Sequence, residues 1–466
     1  MALTTARWDA RVAPHISVVV LVLVVARLMV LGADLMWAVA LGDATLADHR
    51  PPDRLPFAAA PQRDWPNPMV LAQVLLSTVH RIPVGLALLH VMLVGATLSV
   101  VVRDCLRVGA SNGRTAVAVS TAAIGSAGAI GIARLPVLSL LPFVILVYLL
   151  RSGRGAKGGM VWWVVPLIAV WSNLHGAVLA GVAVVAVFAV LAPNAGHTKI
   201  RIGVVVASVA ALFLNPEGWQ TWHYFAGALS NEAALRGSEL WAAPALGNPL
   251  DVALVLSGTV LMTMTWGRRV ALWEWVSVAG LVVGTILAAR NGVFLLLFLA
   301  PLAARPRTTT GSRSVEWSGR LAVGPRSVLA LTVVAAIGST GLLLLRRDAL
   351  GAPGAGSVSE VRAMADGRPV LADEPLAETL AQAGVQVWAS NPLDAFTRET
   401  QSEYLDFISD GVIPPAAEVE TAAVASRLSE KLQAQGWAVL SRVGDTVVLR
   451  APSCGRGRCS VLPGGR

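Results

Sequence analysis

Chemistry in this chain belongs where ionisable and amide side chains interrupt apolar sequence, because a hydrocarbon setting penalises them unless they are used. Arg27 breaks the run VVVLVLVVARLMVLGADL, and Asp34 follows seven residues later. In one unbroken helix that separation is almost two turns, about 10 Å, which puts both on one face toward a shared polar cavity. Pairing of Arg27 with a polar group on a neighbouring helix is the competing reading. Arg134 and Arg290 each interrupt a hydrophobic stretch at a predicted span edge. Their planar forks suit phosphate oxygens, and snorkelling to the interface is the alternative for each alone. Asn173 and His175 lie in WSNLHG, and Asn215 and Glu217 in NPEGW. A buried histidine is more often structural than a ligand, and the other reading of His175 is a hydrogen bond to a sugar hydroxyl or phosphate oxygen. Asp43, Asp48, His49 and Asp53 supply metal-type donors, but their spacing matches no diagnostic pattern. A divalent cation is the one cofactor left open.

The elements that must position these groups follow from composition. The chain has 466 residues, 55% hydrophobic and 14% charged, with a mean hydropathy of +0.65. A soluble chain carries about 25% charged residues, so disorder and an ordinary cytosolic enzyme are both excluded. Apolar runs predict spans near 16–33, 82–102, 115–133, 135–150, 160–172, 176–192, 202–214, 250–266, 270–289, 292–303 and 327–345. Several fall short of the ~20 residues that cross a bilayer, and read as tilted, broken or buried among neighbours.

Charge divides the chain into 1–347, with a balance of +14, and 348–466, with −5. Seventeen of the 27 basic residues in the first part fall on alternate inter-span segments, which predicts a cytoplasmic N-terminus and an extracytoplasmic tail. The net +9 therefore serves topology, and nucleic acid is not an expected partner. Two long loops, 34–81 and 215–249, then lie outside, rich in acids, aromatics, Pro and Gly. Loops of that length are usually functional or disordered, and their Trp content favours partly ordered, interfacial segments. From residue 358 the tail reads as α/β: GRPVLAD and VQVWAS as strands, PLAETLAQAG and AAVASRLSEKLQAQG as helices, NPLDAF as a turn. WAVLSRVGDTVVLRAP reads as two strands joined at Gly444-Asp445. Cys105 belongs at a membrane edge, and Cys454 and Cys459 are close enough in sequence to pair outside the cytosol.

Several local features resemble the GT-C superfamily of polytopic glycosyltransferases, in the bacterial branch related to dolichyl-phosphate-mannose-type protein mannosyltransferases. These are Asp34 opening ADLMWAVALGDATL, then PPDRLPF and DWPNP, WSNLHGAVLAG, LNPEGW, AARNGVFLLLFLAP, and a tail with VLAD, VWAS and SEYLDF. Leu35 departs from the pattern, since many relatives carry a second acid there, and Leu135-Pro136 stands where Pro-Gln often follows the arginine.

The resemblance implies a GT-C-like membrane body of about eleven helices with a small extracytoplasmic α/β domain, in a bacterial plasma membrane. It implies transfer of a sugar, usually with inversion, from a polyprenyl-phosphate carrier to a glycan, lipid or protein acceptor on the outer face. Asp34 is then the general base, and Arg290, Arg134 and Arg27 bind the donor phosphate. Asp43, Asn173, His175, Asn215 and Glu217 contact substrate. Two other readings stay open: a transporter or lipid-carrier flippase, and a non-catalytic envelope-assembly subunit on the same fold. A transporter should show repeat-related helices with polar groups at the midplane, whereas these polar groups gather toward one face.

Overall fold

The computed structural model describes residues 2–32, 34–152, 159–192, 198–237, 241–307, 325–415 and 417–452; Cys454 and Cys459 lie outside them. The chain divides into two units, Met1–Pro51 with Pro66–Gly351, and Pro52–Trp65 with Ala352–Arg466.

The first unit is a helical membrane body. It begins with α1 (Ala2–Leu28), β1 (Val30–Leu31), α2 (Asp34–Asp48), α3 (Val70–His80), α4 (Gly85–Arg107), α5 (Asn112–Gly125), α6 (Ala127–Ile130) and β2 (Ile132–Ala133). It continues with α7 (Leu140–Ser152), α8 (Val164–Ser172), α9 (Val178–Leu191), α10 (Thr198–Ala211), α11 (Thr221–Leu229) and α12 (Glu232–Arg236). The last four are α13 (Pro249–Thr265), α14 (Leu272–Leu287), α15 (Gly292–Ala304) and α16 (Pro325–Leu345). Each of the eleven expected spans falls on one of these helices. Gly85–Arg107, Leu135–Ser152 and Ser327–Leu345 are long and apolar enough to cross a membrane on their own.

Local sequence accounts for several boundaries. α13 starts where Asn248 accepts the Leu250 N–H at 3.0 Å, with Pro249 in the first turn, an amide cap followed by a residue with no N–H to satisfy. α15, GVFLLLFLAPLAA, is apolar all round, and every residue in it is buried. Such a helix belongs at the centre of a bundle.

Two expectations change here. α1 ends at Leu28 and the chain is extended at Val30–Leu31, so Arg27 and Asp34 do not share a helix face. The seven-residue arithmetic fails because the helix stops between them. The arginines assigned only to topology also do more. Arg151, 2% exposed, pairs with Asp104 at 2.5 Å and Glu274 at 3.1 Å. It also donates to the Phe298 carbonyl at 3.1 Å, and Arg305 reaches Glu274 at 2.5 Å. This buried network ties α4, α7, α14 and α15 together. Arg134 precedes Leu135–Ser152 and Arg151 lies in its last turn, so about 26 Å of helix separates them.

The second unit is α/β. Its elements are α17 (Val358–Ala365), β3 (Val370–Ala372), α18 (Leu376–Gln382), α19 (Arg398–Asp410), β4 (Thr421–Ala425), α20 (Ser426–Ala434), β5 (Ala438–Val443) and β6 (Thr446–Arg450). The sheet order is β3-β4-β6-β5, with β3 and β4 parallel and the other pairs antiparallel. The expected helix AAVASRLSEKLQAQG is β4 followed by α20: its small apolar start is buried between β3 and β6. VQVWAS is not a full strand; Val387 makes single parallel bridges to Val370 and Ala58. Through Ala58, residues 52–65 join this unit. Gln62 bridges Phe396, Arg63 Nε donates to the Asp394 carbonyl at 2.7 Å, and Trp65 Nε1 donates to the Asp394 carboxylate at 3.0 Å. Residues 52–65 of the first long loop therefore fold with the tail.

Candidate active site

Asp34 and Arg134 are brought together by a two-stranded parallel pair. Val30 aligns with Ile132 and Leu31 with Ala133, and Gly32 N–H continues the ladder to the Ala133 carbonyl at 2.9 Å. Arg134 follows β2 at once, and Asp34 comes three residues after the end of β1. A β-carbon on Gly32 would lie 2.7 Å from Arg134 Cγ and 2.9 Å from the Ala133 carbonyl oxygen. The absent side chain is what lets Arg134 lie across β1.

Asp34 opens α2 half-buried. Burial pushes its carboxyl above the usual carboxylate range, and the nearby charges of Arg134 and Arg290 pull it back. Arg290 occupies the break between α14 and α15, where Ala288 turns extended. Its guanidinium lies 3.8 Å over the Trp241 ring centroid, and Ala289 N–H donates to the Ala242 carbonyl at 2.9 Å. The second long loop thus fixes this arginine by a cation–π stack and a backbone bond.

His175 sits in the break between α8 and α9. Its Nδ1 accepts the Ala177 N–H at 3.1 Å and lies 3.1 Å from Ser139 Oγ. Ser139 Oγ in turn accepts from Trp171 Nε1 at 2.9 Å. A backbone N–H can only donate, so Nδ1 is the acceptor and the ring proton is on Nε2. Burial, reinforced by Arg290, pushes the imidazole down to about 3. It is a neutral hydrogen-bond donor at working pH, and a poor general base. Tyr224 on α11 packs against the same break: a β-carbon on Gly176 would sit 3.2 Å from its hydroxyl.

Arg134 and Arg290 line one cavity of about 280 Å³. Asn248 and Asp251 stand in its wall as well, while Val137, Leu254 and Phe294 make it apolar. The Arg134 Nε is buried with no hydrogen-bond partner among the described residues.

The other expected site residues are placed differently. Arg27 is exposed on the last turn of α1 and lines a separate cavity with Arg346 and Asp348. Asn173 Nδ2 donates to the Ala169 and Leu214 carbonyls at 2.8 Å each. Asn215 accepts the Glu217 N–H at 3.0 Å and the Thr221 hydroxyl at 2.9 Å. These amides hold helix breaks in shape. Glu217 is half-buried in that turn. Asp43 accepts from Ser77 at 2.6 Å and pairs with Arg81 at 3.2 Å, joining α2 to α3. Among the described residues no three His, Cys, Asp or Glu side chains gather in a way that could hold a metal ion, so Asp43, Asp48, His49 and Asp53 form no such site. Trp241, Tyr224, Ser139 and Asp251 were not foreseen. For Asp251 a signal existed: Asn-Pro-Leu-Asp is a helix-start pattern, which fixes a carboxylate in the first turn of α13.

No family model matches the sequence, and no curated protein matches it either. The structure is similar to that of ArnT from Cupriavidus metallidurans bound to undecaprenyl phosphate. The TM-score is 0.52 at 14% identity, over 95% of this chain and 98% of that one. The chain has the fold of ArnT, in keeping with the GT-C-like architecture expected from its sequence. An arabinofuranosyltransferase, AftD from Mycobacteria, matches at a TM-score of 0.49 and 14% identity, over 97% of this chain but 42% of AftD. The GT-C fold and the apolar helices together make this a multi-pass membrane protein.

Proposed function

We propose that the protein is a glycosyltransferase that moves a sugar from a polyprenyl-phosphate carrier to an envelope glycan, lipid or protein on the outer membrane face. The observation that carries this reading is the cluster of Asp34 with Arg134 and Arg290 beside an amphipathic cavity. The undecaprenyl phosphate bound by ArnT, which has the same fold, supports a carrier of that class.

In this reading the Asp34 carboxylate takes the proton of the acceptor hydroxyl as its oxygen attacks the anomeric carbon. The bond from that carbon to the phosphate oxygen breaks, and its electron pair leaves with the carrier phosphate. Charge gathers there as the bond opens, where Arg290 and Arg134 donate hydrogen bonds most strongly to the departing group. His175 offers a neutral N–H from Nε2. The apolar wall accommodates the first isoprene units.

Asp34→Asn tests the reading. With undecaprenyl-phosphate sugars as donors, transfer should fall by a factor of roughly 10²–10⁴, with binding of undecaprenyl phosphate unchanged. Unaltered transfer removes Asp34 from the base role. Failure of the wild-type protein to bind undecaprenyl phosphate removes the carrier.

A further inference from the structure

One wall of the cavity carries two side chains that the phosphate chemistry leaves unused. Asn248 caps α13 with Oδ1, which accepts the Leu250 N–H at 3.0 Å. Asp251 Oδ2 accepts the Ala245 N–H at 3.0 Å. Those bonds fix both side chains, and each keeps a second polar atom without a hydrogen-bond partner among the described residues: a donor, Asn248 Nδ2, and an acceptor, Asp251 Oδ1. Residues three apart at a helix start are neighbours, about 5–6 Å between β-carbons. Both line the same cavity as Arg134 and Arg290. Among the described residues Asp251 forms no ion pair with either arginine, and the charges that act on Arg290 are those of Asp34 and Arg134.

We propose that Asn248 and Asp251 read the donor sugar, binding two adjacent hydroxyls of a neutral ring between an amide donor and a carboxylate acceptor. The inference rests on the carrier reading above and adds the class of sugar. A phosphate held by the arginines leaves its sugar as the next group along the cavity. A carboxylate in that wall cannot face the phosphate, because like charges in a partly buried site repel. It can accept hydrogen bonds from hydroxyls, and it excludes a uronic acid for the same electrostatic reason. With about 280 Å³, the cavity falls just below the usual range of ligand sites, roughly 300–1,000 Å³.

The test uses the full chain in nanodiscs and compares binding of undecaprenyl phosphate with its mannosyl, glucosyl, arabinosyl and glucuronosyl forms. At least one neutral sugar should tighten binding over the bare carrier, and glucuronate should weaken it. Asp251→Asn keeps an acceptor for the Ala245 N–H, and Asn248→Asp keeps the helix cap, so both should fold. Asp251→Asn should erase the penalty on glucuronate, and each variant should lose roughly tenfold of the neutral-sugar increment, the worth of one hydrogen bond to a charged group. Affinity for the bare carrier should not fall in Asp251→Asn. A neutral-sugar increment that survives both variants overturns the proposal, as does a wild-type protein indifferent to the sugar. If Arg290→Ala binds every carrier like wild type, or wild type binds none, the carrier reading itself fails and takes this inference with it.

Discussion

The Arg134 side chain crosses Gly32 with no room for a β-carbon, 2.7 Å being all that would separate the added atom from Cγ. The position of the arginine next to Asp34 thus depends on a glycine two residues before the acid. Gly32→Ala should force the strand pair apart or turn Arg134 away, since overpacking costs about 1–3 kcal/mol. The expected outcome is weaker binding of undecaprenyl phosphate, by roughly tenfold, in a protein whose thermal unfolding is only modestly lowered. Unchanged carrier binding would show that Arg134 does not depend on this approach.

The protonation of Asp34 has a testable sign. Burial raises its pKa, so the base is neutralised at a higher pH than an exposed carboxylate would be. Activity that needs the ionised form must therefore rise with pH through an acid limb above the usual value of 3.8. Replacing Arg134 by Met removes the larger of the two cationic influences and should move that limb further up. A pH profile of kcat/KM in both proteins measures it; a limb that stays in place argues for another base.

Arg151 predicts a stability effect without a catalytic one. It is buried between Asp104 and Glu274, and Glu274 keeps Arg305, so Arg151→Met strips Asp104 of its close partner and should cost about 3–5 kcal/mol. Thermal unfolding in detergent would show the loss. Combining it with Asp104→Asn should recover much of it, because the uncompensated charge is then gone while Glu274 stays paired with Arg305.

In the second unit, burial pushes Asp373 up to about 6 from 3.8. The folded state then holds a proton that the unfolded state releases between those two values. Stability is greatest below the lower value and falls as pH rises through the window, by about 3 kcal/mol at most. Asp373→Asn keeps an acceptor for the Ala425 N–H, which reaches both Asp373 oxygens at 3.2 Å. It should flatten that decline and raise the unfolding temperature at pH 7.5. The midpoint of unfolding against pH, followed in the full chain, is the measurement.

Long apolar runs were legible because a span needs little more than composition, and each expected span falls on a helix. The short elements were not. β1 and β2 are two residues each and exist only through each other, so no local pattern announces them, and α1 was extended past its end as a result. Val387 failed as a strand for a related reason, since its partners lie on separate segments. At the site, Asp34, Arg134, Arg290 and His175 stood out as polar groups in apolar sequence. Trp241 could not, because an aromatic in a loop becomes informative only when an arginine is seen against it. Asn173 and Asn215 were conspicuous for the right chemistry and the wrong job: their amides satisfy the open ends of broken helices.

The loop 52–65 folding with residues beyond 352 has a consequence for biosynthesis. Roughly 290 residues separate Trp65 from Ala352, which at ~5–20 residues per second is a wait on the order of tens of seconds. During that interval Arg63 and Trp65 have been translated, but Asp394 has not. The second unit cannot close until the residues beyond 352 have been made and have joined 52–65. Its closure is therefore a readout of a finished chain, and a protease that cuts within 52–65 should distinguish unfinished chains from finished ones.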